Sequence, residues 1–305
     1  MQDSPSGPDL IDALVNASTC SRLFIDGGSN MGEHVEAFFK GSFHRCAISS
    51  PHRLYSKAWF NATRKQQLQW MHPLSEPHTW CVRSFDPAPG FAARLQTSSA
   101  AAAARSSKVR YVDAALGVET AREAERTIIK YSNHSYGLTT GRVSHHDLHL
   151  TRPPVLASFV HRGPSIGVRD LIRRYRTSAT TIALKLDVEA WEFDILPSLI
   201  AEPELLCSID YMFTEYHNSK FNATKYGWPD RAYSNINDAI RLAMDTVPNC
   251  KLRINWRSFW SACGEPMRFV WSGSYQATNV NVSAKPKPKP KGRGRRGRRG
   301  RLARG

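Results

Sequence analysis

The stretch Leu23-Phe-Ile-Asp-Gly-Gly-Ser-Asn-Met-Gly32 decides the fold that this sequence predicts. It reads as a short apolar strand over 22–25 that ends in an acid and a glycine-rich turn, followed by a helix over 33–39. Glycines at such a turn let the backbone take positive φ or approach a ligand closely, and a helix N-terminus presents free N–H groups. A nucleotide-like ligand is therefore expected here, with a tight turn that binds nothing as the alternative.

The spacing of the glycines separates two kinds of nucleotide site. Gly27 and Gly28 are adjacent and the next glycine is Gly32, which does not fit the G-x-G-x-x-G spacing of dinucleotide-binding folds. An acid with glycines two and six positions later instead suits a nucleoside amino acid, with Asp26 either steadying the loop or receiving an ammonium group. The predicted cofactor-binding loop consists of Asp26, Gly27, Gly28, Ser29, Asn30 and Gly32.

Apolar runs and helical patterns alternate along the rest of the chain. Strands are predicted over 80–85, 109–115, 127–131, 157–160, 181–186 and 209–214. Helices are predicted over 9–20, 168–175, 191–200 and 232–244, with an Ala-rich helix and a trailing loop up to Arg105. Such alternation predicts an α/β, Rossmann-like fold with a mostly parallel central sheet and helices on both faces. Residues 46–80 read as an irregular insertion, and 251–256 with 267–272 as a C-terminal antiparallel pair.

Two acids stand at the ends of predicted strands. Asp86 is placed to accept hydrogen bonds from both ribose hydroxyls of a nucleotide. It stands 60 positions after Asp26 rather than the usual ~20, so the 46–80 insertion has to be looped out. Asp86 can equally be a helix N-cap before the proline that follows it. Asp113, at the end of the next strand, either faces the adenine or is a plain surface acid.

A concentration of acids follows the strand over 181–186. Lys185-Leu-Asp-Val-Glu-Ala-Trp-Glu192 holds three acids within six residues, which is costly at the carboxyl end of a parallel sheet unless function uses them. Asp187 is expected beside the reacting group of the ligand. Glu189 and Glu192 can accept a proton or hold substrate hydroxyls, although Glu192 can also be an ordinary first-turn acid of the next helix.

The strand over 209–214 leads into Phe213-Thr-Glu-Tyr-His217. Glu215 and His217 alternate and therefore point to the same side. His217 can act as a base towards a hydroxyl nucleophile, because histidine ordinarily titrates near neutral pH. A role outside catalysis is equally open for both residues. Metal ligation together with the acids described above is possible, but no H-E-x-x-H motif or cysteine cluster supports it, so no metal is expected.

Three segments together resemble one family, the FkbM-type S-adenosylmethionine-dependent methyltransferases. Phe24–Gly32 looks like the first motif of that family, with Asn30 where many other methyltransferases place a middle glycine. Ser84–Pro89 is similar to its acidic second-strand ending, where the family more often has Glu than Asp. Leu184–Glu192 closely resembles its signature, in which glycine is usual at the position of Ala190.

The similarity spans roughly residues 20–220 in the same order and includes the Glu215–His217 ending. It implies a class I methyltransferase fold, S-adenosyl-L-methionine as cofactor, and base-assisted in-line methyl transfer to oxygen, often a hydroxyl of a sugar or small metabolite. The candidate catalytic residues are then Asp187, Glu189, Glu215 and His217, and Asp86, Asp113 and Asp187 join the glycine loop as cofactor-binding residues. The acceptor is not implied, because the insertion and the C-terminal pair lie outside the match.

The C-terminal segment carries most of the net charge. The chain has a net charge of +16, of which residues 285–305 contribute +11. Their Lys-Pro and Gly-Arg patterning predicts a disordered tail after a single domain over 1–284. Eleven cations suit non-specific contact with nucleic-acid phosphates. An RNA methyltransferase guided by this tail is therefore one alternative function, although no N-P-P-Y-like motif is present, and a non-catalytic ligand-binding relative is another.

Features that bear on the compartment point in different directions. No run approaches the roughly 18 apolar residues that a spanning helix needs, so no membrane span is expected. The N-terminus lacks the basic start and apolar stretch of a signal peptide, which favours the cytoplasm. An excess of Asn-x-Ser/Thr sequons favours the lumen of the secretory pathway instead. These sequons lie at Asn16, Asn61, Asn133, Asn222 and Asn281.

The cysteines leave the redox state open. The 6 cysteines are widely spread and contain no C-x-x-C pair, which argues against a zinc knuckle and a thioredoxin-like motif. Cys250 and Cys263 can form a disulfide in an oxidising compartment. Scattered buried thiols are the alternative.

Overall fold

The structure is a computed structural model that describes residues 7–17, 19–29, 32–44, 53–87, 108–132, 135–139, 157–188, 191–215 and 232–255. The chain divides into two units, Met1–Pro266 and Met267–Gly305, and every described residue belongs to the first. The Ala-rich helix, residues 267–272 and the basic tail lie outside the described residues, so these predictions stay predictions.

The strands form two sheets. In chain order they are β1 (Arg22–Gly27), β2 (Arg53–Tyr55), β3 (Cys81–Phe85), β4 (Val109–Val112), β5 (Ala115–Gly117), β6 (Ala121–Ser132), β7 (Ser135–Thr139), β8 (Ala157–Gly167), β9 (Thr181–Leu186), β10 (Tyr211–Thr214) and β11 (Arg253–Asn255). The larger sheet has 7 strands in the order β2-β11-β10-β9-β1-β3-β4. All of them run parallel except β2, which is antiparallel to β11. Every residue of β3, β9 and β10 is buried, which is why these strands read as short apolar runs.

Helices cover both faces of the large sheet, as predicted. They are α1 (Gly7–Val15), α2 (Glu33–Phe39), α3 (Lys57–Asn61), α4 (Arg64–Met71), α5 (Val168–Tyr175), α6 (Glu192–Ile200), α7 (Pro203–Leu206) and α8 (Ala232–Thr246). Side chains of a strand alternate between the two faces. Leu23 and Ile25 therefore join an aliphatic core with α1 and α5 to α8. Phe24 points the other way and stacks on Phe38 of α2, with ring centroids 4.3 Å apart.

This architecture confirms the predicted α/β, Rossmann-like fold with a mostly parallel central sheet. The predicted strands and helices around β1, β3, β9, β10, α5, α6 and α8 are all present, with ends that differ by a few residues. No helix within the described residues is long and apolar enough to cross a bilayer.

The smaller sheet contains β5, β8, β6 and β7 in that spatial order. The strands predicted over 127–131 and 157–160 are parts of β6 and β8, which are longer. The prediction of one strand over 109–115 is wrong, because the chain turns after β4 and enters the other sheet as β5. The turn is closed by the N–H of Ala114, which donates to the Val112 carbonyl oxygen at 2.8 Å.

The prediction of an irregular insertion over 46–80 is wrong for its described part. This segment forms β2, α3 and α4, followed by 3-10 turns at His72–Ser75 and Pro77–Thr79. Local capping explains the helices: the Ser56 hydroxyl accepts a hydrogen bond from the Trp59 N–H, and Thr63 forms a capping box with Gln66. The insertion is nevertheless looped out of the parallel order as expected, since β1 pairs directly with β3 while β2 lies at the far edge.

The described part of the predicted C-terminal antiparallel pair has other partners. β11 pairs antiparallel with β2, with Ile254 opposite Leu54, and parallel with β10. The other half of the predicted pair, 267–272, lies outside the described residues.

Two disulfides join the amino ends of neighbouring strands. They are Cys20–Cys81 and Cys207–Cys250. Pairing of Cys250 with Cys263 is therefore wrong, and so is the alternative of scattered thiols for the four described cysteines. Cys20 precedes β1 and Cys81 begins β3, while Cys207 and Cys250 precede β10 and β11. The amino-terminal edge of the sheet is thus covalently fastened.

Replacing Cys20 and Cys81 by Ala should lower the free energy of unfolding by about 2–4 kcal/mol, because the cross-link restricts the unfolded chain. The double change Cys207→Ala with Cys250→Ala should have a similar effect, since the bonds span 61 and 43 residues. Urea denaturation followed by circular dichroism measures both. The disulfides would be contradicted if the variants unfolded at the same urea concentration as the wild type and if a thiol reductant did not change the wild-type curve.

Candidate functional site

The predicted glycine loop and the predicted acidic segment meet at one place in the sheet. The strand order reverses between β1 and β9, so the chain leaves these two strands in opposite directions and opens a crevice at their carboxyl ends. Gly27 of β1 pairs with Leu186 of β9, and the Asp187 N–H donates to the Gly27 carbonyl oxygen at 3.1 Å. The loops that follow the two strands therefore start side by side.

Gly28 and Gly32 are required by the backbone of the loop. Their φ angles are +77° and +83°, in the region that L side chains rarely adopt. A Cβ on Gly28 would also lie 1.8 Å from the carbonyl oxygen of Asp187. The backbone at Gly28 thus comes close to Asp187, in the loop that follows β9 (the β9 loop), which is part of the protein itself. Gly32 directly precedes α2 and forms its N-cap without a side chain.

Hydrogen bonds fasten the loop to the end of β3. The N–H groups of Gly28 and Ser29 both donate to the Phe85 carbonyl oxygen, at 3.1 and 3.0 Å. The Ser84 hydroxyl donates to Asp26 Oδ2 at 2.6 Å and also contacts the Ser29 hydroxyl. Asp26 and Ser29 are fully buried, so both steady the loop, and Asp26 cannot receive an ammonium group from a bound ligand. Asn30 lies outside the described residues.

A buried lysine in β9 connects these parts. Lys185 is only 2% exposed, and its Nζ donates to the carbonyl oxygens of Gly27 and Gly28 at 3.1 and 2.7 Å. The same Nζ lies 3.3 Å from Asp26 Oδ1 and 3.3 Å from Asp187 Oδ2. One ammonium therefore holds the glycine loop and the β9 loop together and neutralises part of the charge of two carboxylates.

His34, in the first turn of α2, completes the cluster. Its Nδ1 lies 3.0 Å from Lys185 Nζ and its Nε2 lies 3.8 Å from Asp187 Oδ2. Burial and the charge of Lys185 lower the pKa of His34 to about 4. Burial would lower the pKa of Lys185, but Asp187 and Asp26 outweigh it and raise that pKa. The lysine is therefore the donor to a neutral imidazole, whose proton sits on Nε2 and faces Asp187.

The other predicted acids stand along the same edge. Asp86 follows β3, and its N–H donates to the Val112 carbonyl oxygen of β4 at 3.4 Å. Glu215 follows β10, and its N–H donates to the Leu186 carbonyl oxygen of β9 at 2.9 Å. Both residues are partly exposed, and Asp113 after β4 is exposed. We refer to Asp86, Asp113, Asp187 and Glu215 as the acidic rim.

The accessible charge of the acidic rim is negative. The Asp187 side chain is 18% exposed, and the other three members are partly or fully open to solvent. Lys185 lies beneath the rim and is buried. Carboxylates that reach solvent along one edge of a sheet attract a ligand that carries positive charge.

Two predicted catalytic residues, Glu189 and His217, lie outside the described residues. Glu192 is fully buried in the first turn of α6, so it is the first-turn acid and cannot reach a substrate. Lys185 and His34 belong to the cluster at this site, but neither was singled out from the sequence. A signal for the first was available, because a lysine within the apolar run Thr181–Leu186 requires a buried anionic partner. Nothing in the sequence links His34 to it.

No protein-family model, no curated protein and no solved structure matches this chain. The resemblance to FkbM-type methyltransferases therefore depends on the quoted motifs. A Rossmann-like framework hosts many activities, so function has to be argued from the crevice itself.

Replacing Lys185 with Met should lower the free energy of unfolding by about 3–5 kcal/mol, because it leaves buried carboxylate charge without its counter-ion. Lys57→Met is the matched control, since exposed Lys57 pairs with Asp245 at 3.4 Å on the surface and such pairs contribute little. Urea denaturation of both variants makes the comparison. Equal, small effects would contradict the role of Lys185 as the connecting cation.

His34 predicts a pH dependence of stability. Its pKa falls from 6.5 to about 4 on folding, so the unfolded chain binds the extra proton between these values. Stability is therefore lost as the pH falls through this window, by up to about 3 kcal/mol. His34→Asn has no imidazole to titrate, so the difference in unfolding free energy between the wild type and this variant should shrink as the pH falls from 6.5 towards 4. Asp210, whose pKa burial raises to about 6, acts in the opposite direction but is common to both proteins.

Urea denaturation at several pH values between about 4.5 and 7 measures this difference. A difference that stays constant over that range would contradict a neutral, buried His34. The imidazole resonances of His34 supply an independent check, because they should not titrate near pH 6.5.

Proposed function

We propose that this chain is an S-adenosylmethionine-dependent methyltransferase of the FkbM type that methylates a hydroxyl of a sugar or small metabolite. The observation that carries the proposal is the acidic rim above a buried cation at the switch point of the sheet. S-adenosylmethionine carries a sulfonium and an ammonium group, so a negative rim attracts it. The anionic pyrophosphate of a dinucleotide would be repelled there, although dinucleotide-binding folds share this strand order.

The described residues fit such a ligand. Asp86 is partly exposed beside the glycine loop, where a carboxylate can accept hydrogen bonds from two ribose hydroxyls. Exposed Asp113 at the next strand end is available to the adenine side. The loop is held from below by Lys185, so it is in place before a ligand binds.

The chemistry assigned to the protein is the handling of one proton. S-adenosylmethionine, when bound, supplies an electrophilic methyl group. The N–H of Glu215 donates to the carbonyl oxygen of Leu186 in β9, so Glu215 lies next to Asp187. Glu215 is also partly exposed. A carboxylate in this position can take the proton of an acceptor hydroxyl. Asp187 is engaged by Lys185, so its part is to orient rather than to accept. Glu189 and His217 remain predicted alternatives for the base.

Calorimetry with S-adenosylhomocysteine tests the donor site. We expect binding by the wild type and a loss of about 10- to 100-fold in affinity for Asp86→Ala, because hydrogen bonds to a carboxylate are worth roughly 1.5–3 kcal/mol. Asp238→Ala is the matched control, since Asp238 is an exposed acid of α8 whose side chain is 69% accessible. It should bind like the wild type.

No heat of binding at high micromolar ligand would overturn the methyltransferase proposal altogether. An unchanged affinity of Asp86→Ala would overturn the ribose contact alone. Transfer of labelled methyl groups to a panel of glycans, hydroxylated metabolites and RNA then identifies the acceptor. Labelling of RNA that disappears on deletion of 285–305 would favour the RNA alternative over the small hydroxyl acceptor.

A further inference from the structure

The described cysteines indicate an oxidising environment. Cys20–Cys81 and Cys207–Cys250 each connect two neighbouring strands of the large sheet, and no free thiol occurs among the described residues. Structural disulfides form and persist in secretory and extracellular compartments and are rare where the thiol pool is reducing.

An exposed sequon gives independent evidence for the same environment. Asn61 ends α3, and Ala62 and Thr63 continue with extended backbone, at φ −73°, ψ 141° and φ −62°, ψ 157°. Asn61 and Thr63 are both exposed, so the complete acceptor sequence Asn-Ala-Thr is accessible in the folded protein. A glycan can only be carried by an asparagine whose side chain reaches solvent, because the attached sugar is bulky and hydrated. Asn16 is exposed too, but Ser18 of its sequon lies outside the described residues.

The neighbourhood of Asn61 suits a covering group. Phe60, the residue before it, is 70% exposed, and a hydrated glycan at Asn61 would shield that ring from water. Asn61 also follows a different strand of the large sheet from those that lead into the acidic rim. α3 directly follows β2, the edge strand, whereas the acidic rim follows β3, β4, β9 and β10.

We propose that this protein matures in the lumen of the secretory pathway, where the two disulfides of its described cysteines form and an N-linked glycan is attached to Asn61. This inference does not rest on the proposed methyl transfer. It decides between the two compartments that the sequence left open, because the disulfides and the accessible sequon require the same lumen.

Both covalent steps balance with reagents of that lumen. Each disulfide forms by exchange with an oxidised protein dithiol, which accepts two electrons and two protons from the cysteine pair and is itself reduced. At Asn61, the side-chain Nδ2 bonds to the anomeric carbon of a lipid-linked oligosaccharide diphosphate. The bond from that carbon to the phosphate oxygen breaks, the lipid diphosphate leaves with the electron pair, and the amide loses one proton to solvent.

Peptide mapping of the full chain, isolated from the cells that make it natively, tests the proposal. Free thiols are alkylated at lysis, and the digest is compared before and after reduction and before and after peptide N-glycosidase. We expect the Cys20 and Cys81 peptides to be linked until reduction. We expect the Asn61 peptide to appear with Asp in place of Asn only after the glycosidase. Alkylated cysteines before reduction, or an unmodified Asn61 peptide, would each overturn the proposal.

Two variants made in the same cells separate glycosylation from local structure. Asn61→Gln removes the acceptor and should reduce the apparent mass by one glycan while the protein stays folded. Thr63→Ser keeps both the sequon and the N-cap of α4 and should keep the glycan. An apparent mass that does not change in Asn61→Gln, or a loss of the same mass in Thr63→Ser, would contradict Asn61 as the attachment site.

Discussion

The carboxyl edge of the central sheet depends on the ammonium group of Lys185. A buried charge without partners would cost several kcal/mol, and here the ammonium is surrounded by two carboxylates and two loop carbonyl oxygens. The glycine loop can approach the β9 loop only because Gly28 has no side chain. The described parts of the two loops that border the crevice are therefore held together by Lys185, and Asp26 is one of its buried partners.

The two edges of the sheet are stabilised by different interactions. At the amino edge, Cys20–Cys81 and Cys207–Cys250 join neighbouring strands covalently. At the carboxyl edge, the ion cluster and the hydrogen bonds of the loop to β3 do this work without covalent bonds. Backbone hydrogen bonds to neighbouring strands position Asp86, Asp187 and Glu215 along this end of the sheet. Such placement before binding is what electrostatic recognition of the proposed ligand requires.

The proposed ligand rests on charge more than on topology. The parallel strand order is shared by folds that bind dinucleotides and therefore does not choose among nucleotide ligands. The rim carboxylates favour a cationic ligand such as the one proposed, and Lys185 beneath them is already paired with Asp26 and Asp187. In the proposed reaction, the position of Glu215, whose N–H is bonded to β9 next to Asp187, would be where the proton leaves the acceptor.

The sequence determined those features that depend on neighbouring residues. Apolar runs such as Thr181–Leu186 and the glycine turn after Asp26 predicted strands, helices and the parallel order. They could do so because burial and backbone freedom depend on the residue types within a short segment. The capping box of Thr63 and Gln66 is equally local, although the segment 46–80 was predicted to be irregular. The sequence also placed Asp86 and Glu215 correctly at strand ends, since parallel strands bring their carboxyl ends to one edge.

Only the tertiary structure decided which distant segments meet. The separation of β4 from β5, the pairing of β2 with β11 and the partners of the cysteines depend on packing between segments far apart in the chain. The same holds for Lys185, which could be recognised as a buried cation in need of a partner, but whose partners include His34 on another element. Pairing between segments that are far apart in the sequence depends on the free energy of the whole core, so it cannot be predicted from a local pattern of residues.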